Sequence, residues 1–315
     1  SKSAPVTIKG LLGVTDIAVG GHHTCALKQD GSVACWGYNL HGQLGDGTSG
    51  ANTEKKVPTA VKGLSGAKAV ALGLYHTCAL KNDGSVSCWG ANLVGQLGDG
   101  TKISKSVPTA VKGPAPVEVV QVGARLAIGA DHSCALKNDG TAVCWGLNTY
   151  GRLGDGSQKT SKTPIAVAGL TGVAAIATGL YHTCAVKNDG SVFCWGYNNF
   201  SQLGSAGPLV SLKVLAVQGL TSAKAIVAGD YHNCVLKSDG TAACWGHNFG
   251  GQLGDGTMTK VKPQSKAKPV TVKGLLDLEA IAVGGYHTCA LKADATAVCW
   301  GYNDAGQLGD GTKTN

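Results

Sequence analysis

The strongest constraint on this chain is a repeat. Twelve cysteines fall as Cys25/Cys35, Cys78/Cys88, Cys134/Cys144, Cys184/Cys194, Cys234/Cys244 and Cys289/Cys299, each pair ten positions apart. All six Trp (Trp36, Trp89, Trp145, Trp195, Trp245 and Trp300) directly follow the second Cys of a pair. One His precedes each first Cys by two: His23, His76, His132, His182, His232 and His287. Aligned on these positions, the chain is six copies of a unit of 50 to 56 residues, typified by Val70 to Thr101. Self-similarity at this period marks a propeller, solenoid or array. The 315 residues therefore read as one domain over 1–315, with repeat cores near 17–48, 70–101, 126–157, 176–207, 226–257 and 281–312.

Each unit holds four short runs bounded by Gly, Pro or Asp, without a sustained helical period, and these predict strands. In the first copy they are Ile17 to Val19, Thr24 to Leu27, Val33 to Trp36 and Pro58 to Val61. The first run is almost all small or β-branched (A-V-A-L in copy two, A-I-V-A in copy five), which suits strands converging on an axis. Between the second and third runs lies K-x-D-G-S/T, whose Gly fits the left-handed position of a three-residue hairpin loop. Counting outward from that loop puts Cys25 opposite Cys35 in a non-hydrogen-bonded pair, the closest side-chain spacing in an antiparallel ladder. A cross-strand disulfide is thus geometrically reasonable in every unit. The opening segment Pro5 to Leu11 matches the fourth-run segment Pro58 to Leu64, and the chain stops after a third run. The fold class expected is all-β, a closed six-bladed β-propeller of four antiparallel strands per blade, with an N-terminal strand completing the last blade.

Composition excludes several classes. Charged residues are 15% of the chain and Pro only 9 residues, against a charge-driven or Pro-rich disordered segment. No C-x-x-C occurs, which removes the common zinc-ribbon, thioredoxin-like and haem-attachment signatures. Aromatics at 5% and two Arg leave little for sequence-specific nucleic-acid recognition. No apolar run approaches the roughly 20 residues of a membrane helix. Regularly paired Cys fit an oxidising compartment, so the expected location is extracellular, cell-surface or periplasmic, after removal of a signal ahead of Ser1.

The strings G-x-x-H-[ST]-x-A-L, D-G-x-[VA]-x-x-W-G and N-x-x-G-Q-L-G recur through nearly the whole chain and resemble the repeat of the regulator of chromosome condensation family. The resemblance implies a propeller. Members include a nuclear nucleotide-exchange factor, a plant ultraviolet-B photoreceptor and a secreted bacterial inhibitor of β-lactamases, all described as seven-bladed. This sequence departs in blade number and in carrying two Cys per unit. Paired Cys argue against the nuclear role, and one Trp per unit argues against the photoreceptor role. The secreted, bacterial-type binding propeller is the nearest in kind.

Other residues invite chemistry. His23 with Cys25 and Cys35, repeated in each copy, would offer metal ligands if the thiols were free; the alternative is a His bonded to backbone beside an oxidised pair. Asp46, Asp99, Asp155, Asp255 and Asp310 lack the D-x-D-x-D density of a calcium loop and read as turn residues. Asp131 and Asp230 fall just ahead of the repeat His in two copies and suggest a rim pocket of an extracellular enzyme. No G-x-S-x-G, H-E-x-x-H or nucleophilic Cys context occurs. The expectation is therefore no catalysis, no cofactor and no metal.

Departures from the repeat mark candidate binding loops, since variable loops on a rigid ring carry specificity. The fourth copy loses G-Q-L-G-D-G-T around Ser201 to Gly207 and carries Phe200 and Leu209; the fifth leads into a Lys-rich loop with Lys260, Lys262, Lys266 and Lys268. An insertion precedes the third copy around Gly113 to Pro116 and Gln121 to Arg125. The sixth copy has Ala295 in place of the hairpin Gly, which predicts a strained turn. The net charge of +8 is almost wholly Lys. Together these predict a scaffold that recognises an unknown protein, or an acidic glycan or envelope surface, through its rim loops.

Overall fold

The structure is a computed structural model and describes residues 7–113, 125–258 and 264–315. Every element in it is a β-strand. In blade one the strands are Val14–Val19, His23–Lys28, Val33–Gly37 and Lys55–Ala60. They pair antiparallel in chain order, as do the four strands of blades two to five. Among the described residues the sixth sheet has three strands, Leu278–Val283, His287–Lys292 and Ala297–Gly301. Pro5 and Val6, with which the expected closing strand begins, lie outside the described residues, and Thr7 to Leu12 form no strand.

The hairpin register follows from the loop. The Lys28 N–H donates to the Ser32 carbonyl, Gly31 takes φ 74°, and Cys25 stands opposite Cys35. The same pairing holds in each blade, and each Cys pair is joined as a disulfide with Cα atoms 4.1 Å apart. The fourth strand begins three residues earlier than the composition suggested, at Lys55, and runs through Pro58. Proline is tolerated there because this strand is the outer edge, where a missing N–H breaks no ladder. A register shift between Cys35 and Gly37 lets the third strand meet it.

Side chains alternate across each strand, so Cys and Trp point to opposite faces of a blade. The Cys face of one blade packs on the Trp face of the next. Cys25, Cys35, Leu44 and Val61 of blade one bury Trp89 and Ala79 of blade two. Cys78 and Cys88 likewise meet Trp145, Cys134 and Cys144 meet Trp195, and Cys184 and Cys194 meet Trp245. A fully buried Trp is worth roughly 3–5 kcal/mol against Ala. Polar bonds repeat at each seam. The Gln43 carbonyl accepts from Trp89 Nε1 and from Thr77 Oγ1, while His23 Nε2 lies 2.7 Å from Thr77 Oγ1.

The innermost strands converge on an axis, where Gly20, Gly73, Gly129, Gly179, Gly229 and Gly284 line a central cavity of about 220 Å³. Glycine is required here by proximity. A Cβ on Gly20 would sit 2.5 Å from the Gly73 carbonyl oxygen, and the same distance separates each successive pair up to Gly229 and Gly284. At Gly284 the three atoms nearest to an added Cβ all belong to its own His287, and no carbonyl of a neighbouring blade stands at 2.5 Å as in the other five. The packing that joins each blade to the next is thus not repeated between blades six and one among the described residues. Among the described residues, neither Trp36 Nε1 nor His287 has the hydrogen bond that its counterparts make across the other seams. Ile17 and Val19 on the innermost strand of blade one are 51% and 72% exposed.

Candidate functional site

The chain has eight Tyr, and all eight stand at the same end of the blades in contact with other rings. They arise from two columns of the repeat. One is the residue before the repeat His, held by Tyr75, Tyr181, Tyr231 and Tyr286; the other lies two after Trp, held by Tyr38, Tyr197 and Tyr302. Tyr150 joins from the following turn. Because the second strand starts and the third strand ends at this end of the blade, both columns open on one mouth of the ring. Tyr181 packs edge-on to Tyr150 at 5.6 Å and to Tyr197 at 5.9 Å, and Tyr231 lies 6.1 Å from Tyr181 and 6.3 Å from Tyr286. A second group, His22, Tyr38, His41 and Tyr75, covers blades one and two. Offset and edge-on geometry at these separations is favourable for aromatic pairs.

Phe200, expected to mark a binding loop, belongs to this surface: its ring is 4.9 Å from Tyr231 and 4.7 Å from His247. The altered loop keeps its fold. Ser201 takes the left-handed conformation (φ 57°), Gln202 Oε1 accepts the Phe200 N–H, and Leu203 is fully buried. Leu209 is 64% exposed at the periphery of the same end, just before the strand Val210–Ala216. Lys266 is engaged with Asp255 at 3.3 Å, and Lys268 stands exposed on the outer strand Ser265–Thr271. Lys260 and Lys262 lie outside the described residues, as do residues 114–124 of the insertion before the third copy.

Asp131 and Asp230 are half-buried at this mouth, but in different columns and two blades apart. Asp131 replaces the Tyr of the His-preceding column, whereas Asp230 occupies the column of Leu74 and Leu180. Burial raises both carboxyls above the usual range, and at Asp131 the Arg152 guanidinium opposes that rise. Arg152 stands where other copies have Gln. Its guanidinium carbon is 4.9 Å from the Tyr181 ring centre and 5.5 Å from that of Tyr150, and Nη1 donates to the Leu180 carbonyl. Its backbone carbonyl still accepts from Thr183 Oγ1 and Trp195 Nε1, so the substitution leaves the seam intact. The ring of Tyr and this Arg went unread in the sequence. Column-by-column comparison of the repeats, rather than total aromatic content, carries the signal.

The repeat His are not assembled with thiols. Each Cys Sγ is bonded to its partner Cys, and His76, His132, His182 and His232 point Nε2 at a Ser, Thr or Asn of the next blade. Burial pushes His23, His76 and His232 down to about 3 and His182 to about 4. The turn aspartates accept from their own loops, as Asp46 does from the Thr48 N–H and hydroxyl. Among the described residues no helix is long and apolar enough to cross a membrane.

Comparison with known proteins places this architecture. The chain is 41% identical over 86 residues to mouse RCC1 domain-containing protein 1, covering 27% of this chain and 22% of that protein. It is 37% identical over 102 residues to the Arabidopsis thaliana ultraviolet-B receptor UVR8, covering 31% and 22%. The stretch matching human E3 ubiquitin-protein ligase HERC2 spans 2% of that protein, so these relatives extend far beyond the matched region. Among solved structures, human WBSCR16 superposes with a TM-score of 0.86 at 23% identity, over 100% of this chain and 83% of that one. Saccharomyces cerevisiae Prp20p gives 0.81 at 24% identity, over 96% and 75%. The model of the RCC1-like domain matches residues 1–315, and the chain belongs to that family.

Proposed function

We propose that this chain is a binding scaffold that recognises a protein partner with its tyrosine-lined mouth and performs no chemistry of its own. The observation that carries the reading is the collection of all eight Tyr, with Phe200, on one end of the six-blade array. Tyr offers large contact area at low conformational cost and is enriched in recognition surfaces. Proteins of similar fold have protein partners: Prp20p was studied for binding to Gsp1p and histones, and in complex with Kap60. Asp131 stands beside Arg152 and Asp230 two blades away, so the two carboxylates do not face each other as one acid–base pair. Six disulfides support a secreted or cell-surface setting. Leu209 and Lys268 would extend the contact at the periphery.

The test is affinity capture from the native surroundings with the wild-type protein and with Y181S/Y231S. Loss of one protein partner in the variant, with its melting temperature retained, supports the reading. Capture of acidic glycan alone, lost instead in K266S/K268S, overturns it in favour of the lysine-bearing rim. For the compartment, intact mass must rise by twelve hydrogens on full reduction; free thiols in the native protein would remove the argument for secretion.

A further inference from the structure

Among the described residues, the Asp230 carboxylate at the aromatic mouth has neither a counter-charge nor a side-chain donor. The Asp230 backbone is pinned on both sides: its N–H donates to the Gly285 carbonyl, and its own carbonyl accepts from the Leu180 N–H. Its side chain leans over Gly285, where a Cβ would come within 2.8 Å of Oδ2, so the carboxylate occupies space that only glycine leaves. Tyr231 directly follows Asp230 in the chain, and Tyr286 and Tyr181 lie 6.3 Å and 6.1 Å from the Tyr231 ring. Asp230 also lines the central cavity, whose remaining wall is mostly glycine and small apolar side chains. Among the described residues no Lys or Arg pairs with it and no side chain donates to it. Asp131 differs in having Arg152 nearby.

We propose that Asp230, Tyr181, Tyr231 and Tyr286 form a receptor for one basic side chain, a lysine ammonium or arginine guanidinium, presented by the protein partner. The assignment rests on the binding role given above and specifies its chemistry. A half-buried carboxylate gains most from a cation that brings its own donors, and aromatic rings add attraction for that cation. Burial holds the Asp230 carboxyl above its ordinary range, and burial first, with the Asp230 charge as a lesser cause, raises Tyr231 and Tyr286. The net charge of +8 does not oppose this locally. The hairpin lysines Lys81, Lys137, Lys187, Lys237 and Lys292 sit at the opposite end of the blades, each paired with an Asp. Separations beyond about 8 Å are largely screened at physiological salt. Asp304, bonded to Tyr302, adds negative charge at the mouth.

The probe is Nα-acetyl-lysine methylamide, titrated into the intact protein while tyrosine ring resonances are followed by NMR. Saturable shifts of Tyr231 and Tyr286 are expected, weakened roughly tenfold in D230N, about 1.4 kcal/mol. They should be absent when the same compound carries an Nε-acetyl group. D230L is the second variant, with Leu already standing in the same column at Leu74 and Leu180, and its melting temperature is measured alongside. Equal binding by D230N or by the Nε-acetylated compound overturns the proposal, as does spermidine binding where the lysine compound does not. If the lysine compound fails while Y181S/Y231S still loses the partner, the cation site falls and the binding role stands. If both fail, the binding role falls with it.

Discussion

Ala295 shows how a residue-level rule meets its surroundings. The hairpin position is glycine in five copies, with φ between 72° and 78°, and Ala295 adopts φ 63°. An L-residue there costs about 1 kcal/mol. In blade one a Cβ would also press on the link to the next blade, 3.0 Å from Gly66 Cα, and in blade four it would lie 2.9 Å from Ser222 Cα. Ala295 has no following blade to press on among the described residues, which is why the side chain is accommodated. Ala295→Gly should raise stability by about 1 kcal/mol, read as a shift in urea midpoint without change in slope. An unchanged midpoint would mean that the turn is relaxed. The strain was legible from the sequence because the hairpin loop fixes its own backbone. Arg152 was not, because its role depends on which rings the folded seam brings beside it.

At the scale of the element, the disulfide and the indole define a blade's two faces, and their environments vary with position in the array. Ten of the twelve half-cystines are fully buried, under the Trp face of the following blade. Cys289 and Cys299 are partly exposed. Thiol–disulfide exchange requires access to a sulfur. Mild reductant under native conditions should therefore open Cys289–Cys299 first, and alkylation with mass mapping should label that pair ahead of Cys234–Cys244. Uniform labelling, or blade five first, would contradict the exposure seen here. Strand order and Cys register were readable from spacing, since the hairpin and the period of two leave little choice. The tyrosine mouth was not read, because its residues come from two columns and are adjacent only once neighbouring blades pack.

Across the whole molecule, buried neutral histidines tie stability to pH. Unfolded, each titrates near 6.5. In the fold, burial lowers His23, His76 and His232 to about 3 and His182 to about 4. His132 is held well below its ordinary value, for the same reason. The unfolded chain thus binds more protons below pH 6.5, so the stabilisation is complete above that value and is lost progressively as pH falls from there through the folded values of about 4 and about 3. The slope is roughly 1.4 kcal/mol per pH unit for each such histidine. Asp131 and Asp230, with raised carboxyls, act in the opposite sense and are outnumbered. Melting temperature should start to drop near pH 6, above the carboxylate range; a curve flat down to pH 4 would show that the histidines charge within the fold.

The seam between blades has a direction. Its leading side carries a histidine, a Gln carbonyl and a disulfide; its receiving side carries an indole and a hydroxyl. The two ends of the six-blade array are consequently unlike, a socket at blade six and a plug at blade one. Two copies meeting through like ends would set indole against indole and histidine against histidine, satisfying none of the bonds repeated inside. A two-fold symmetric pairing through these ends is thereby disfavoured, and any unit completing the seam must enter head to tail, with the chain sense of the repeats themselves.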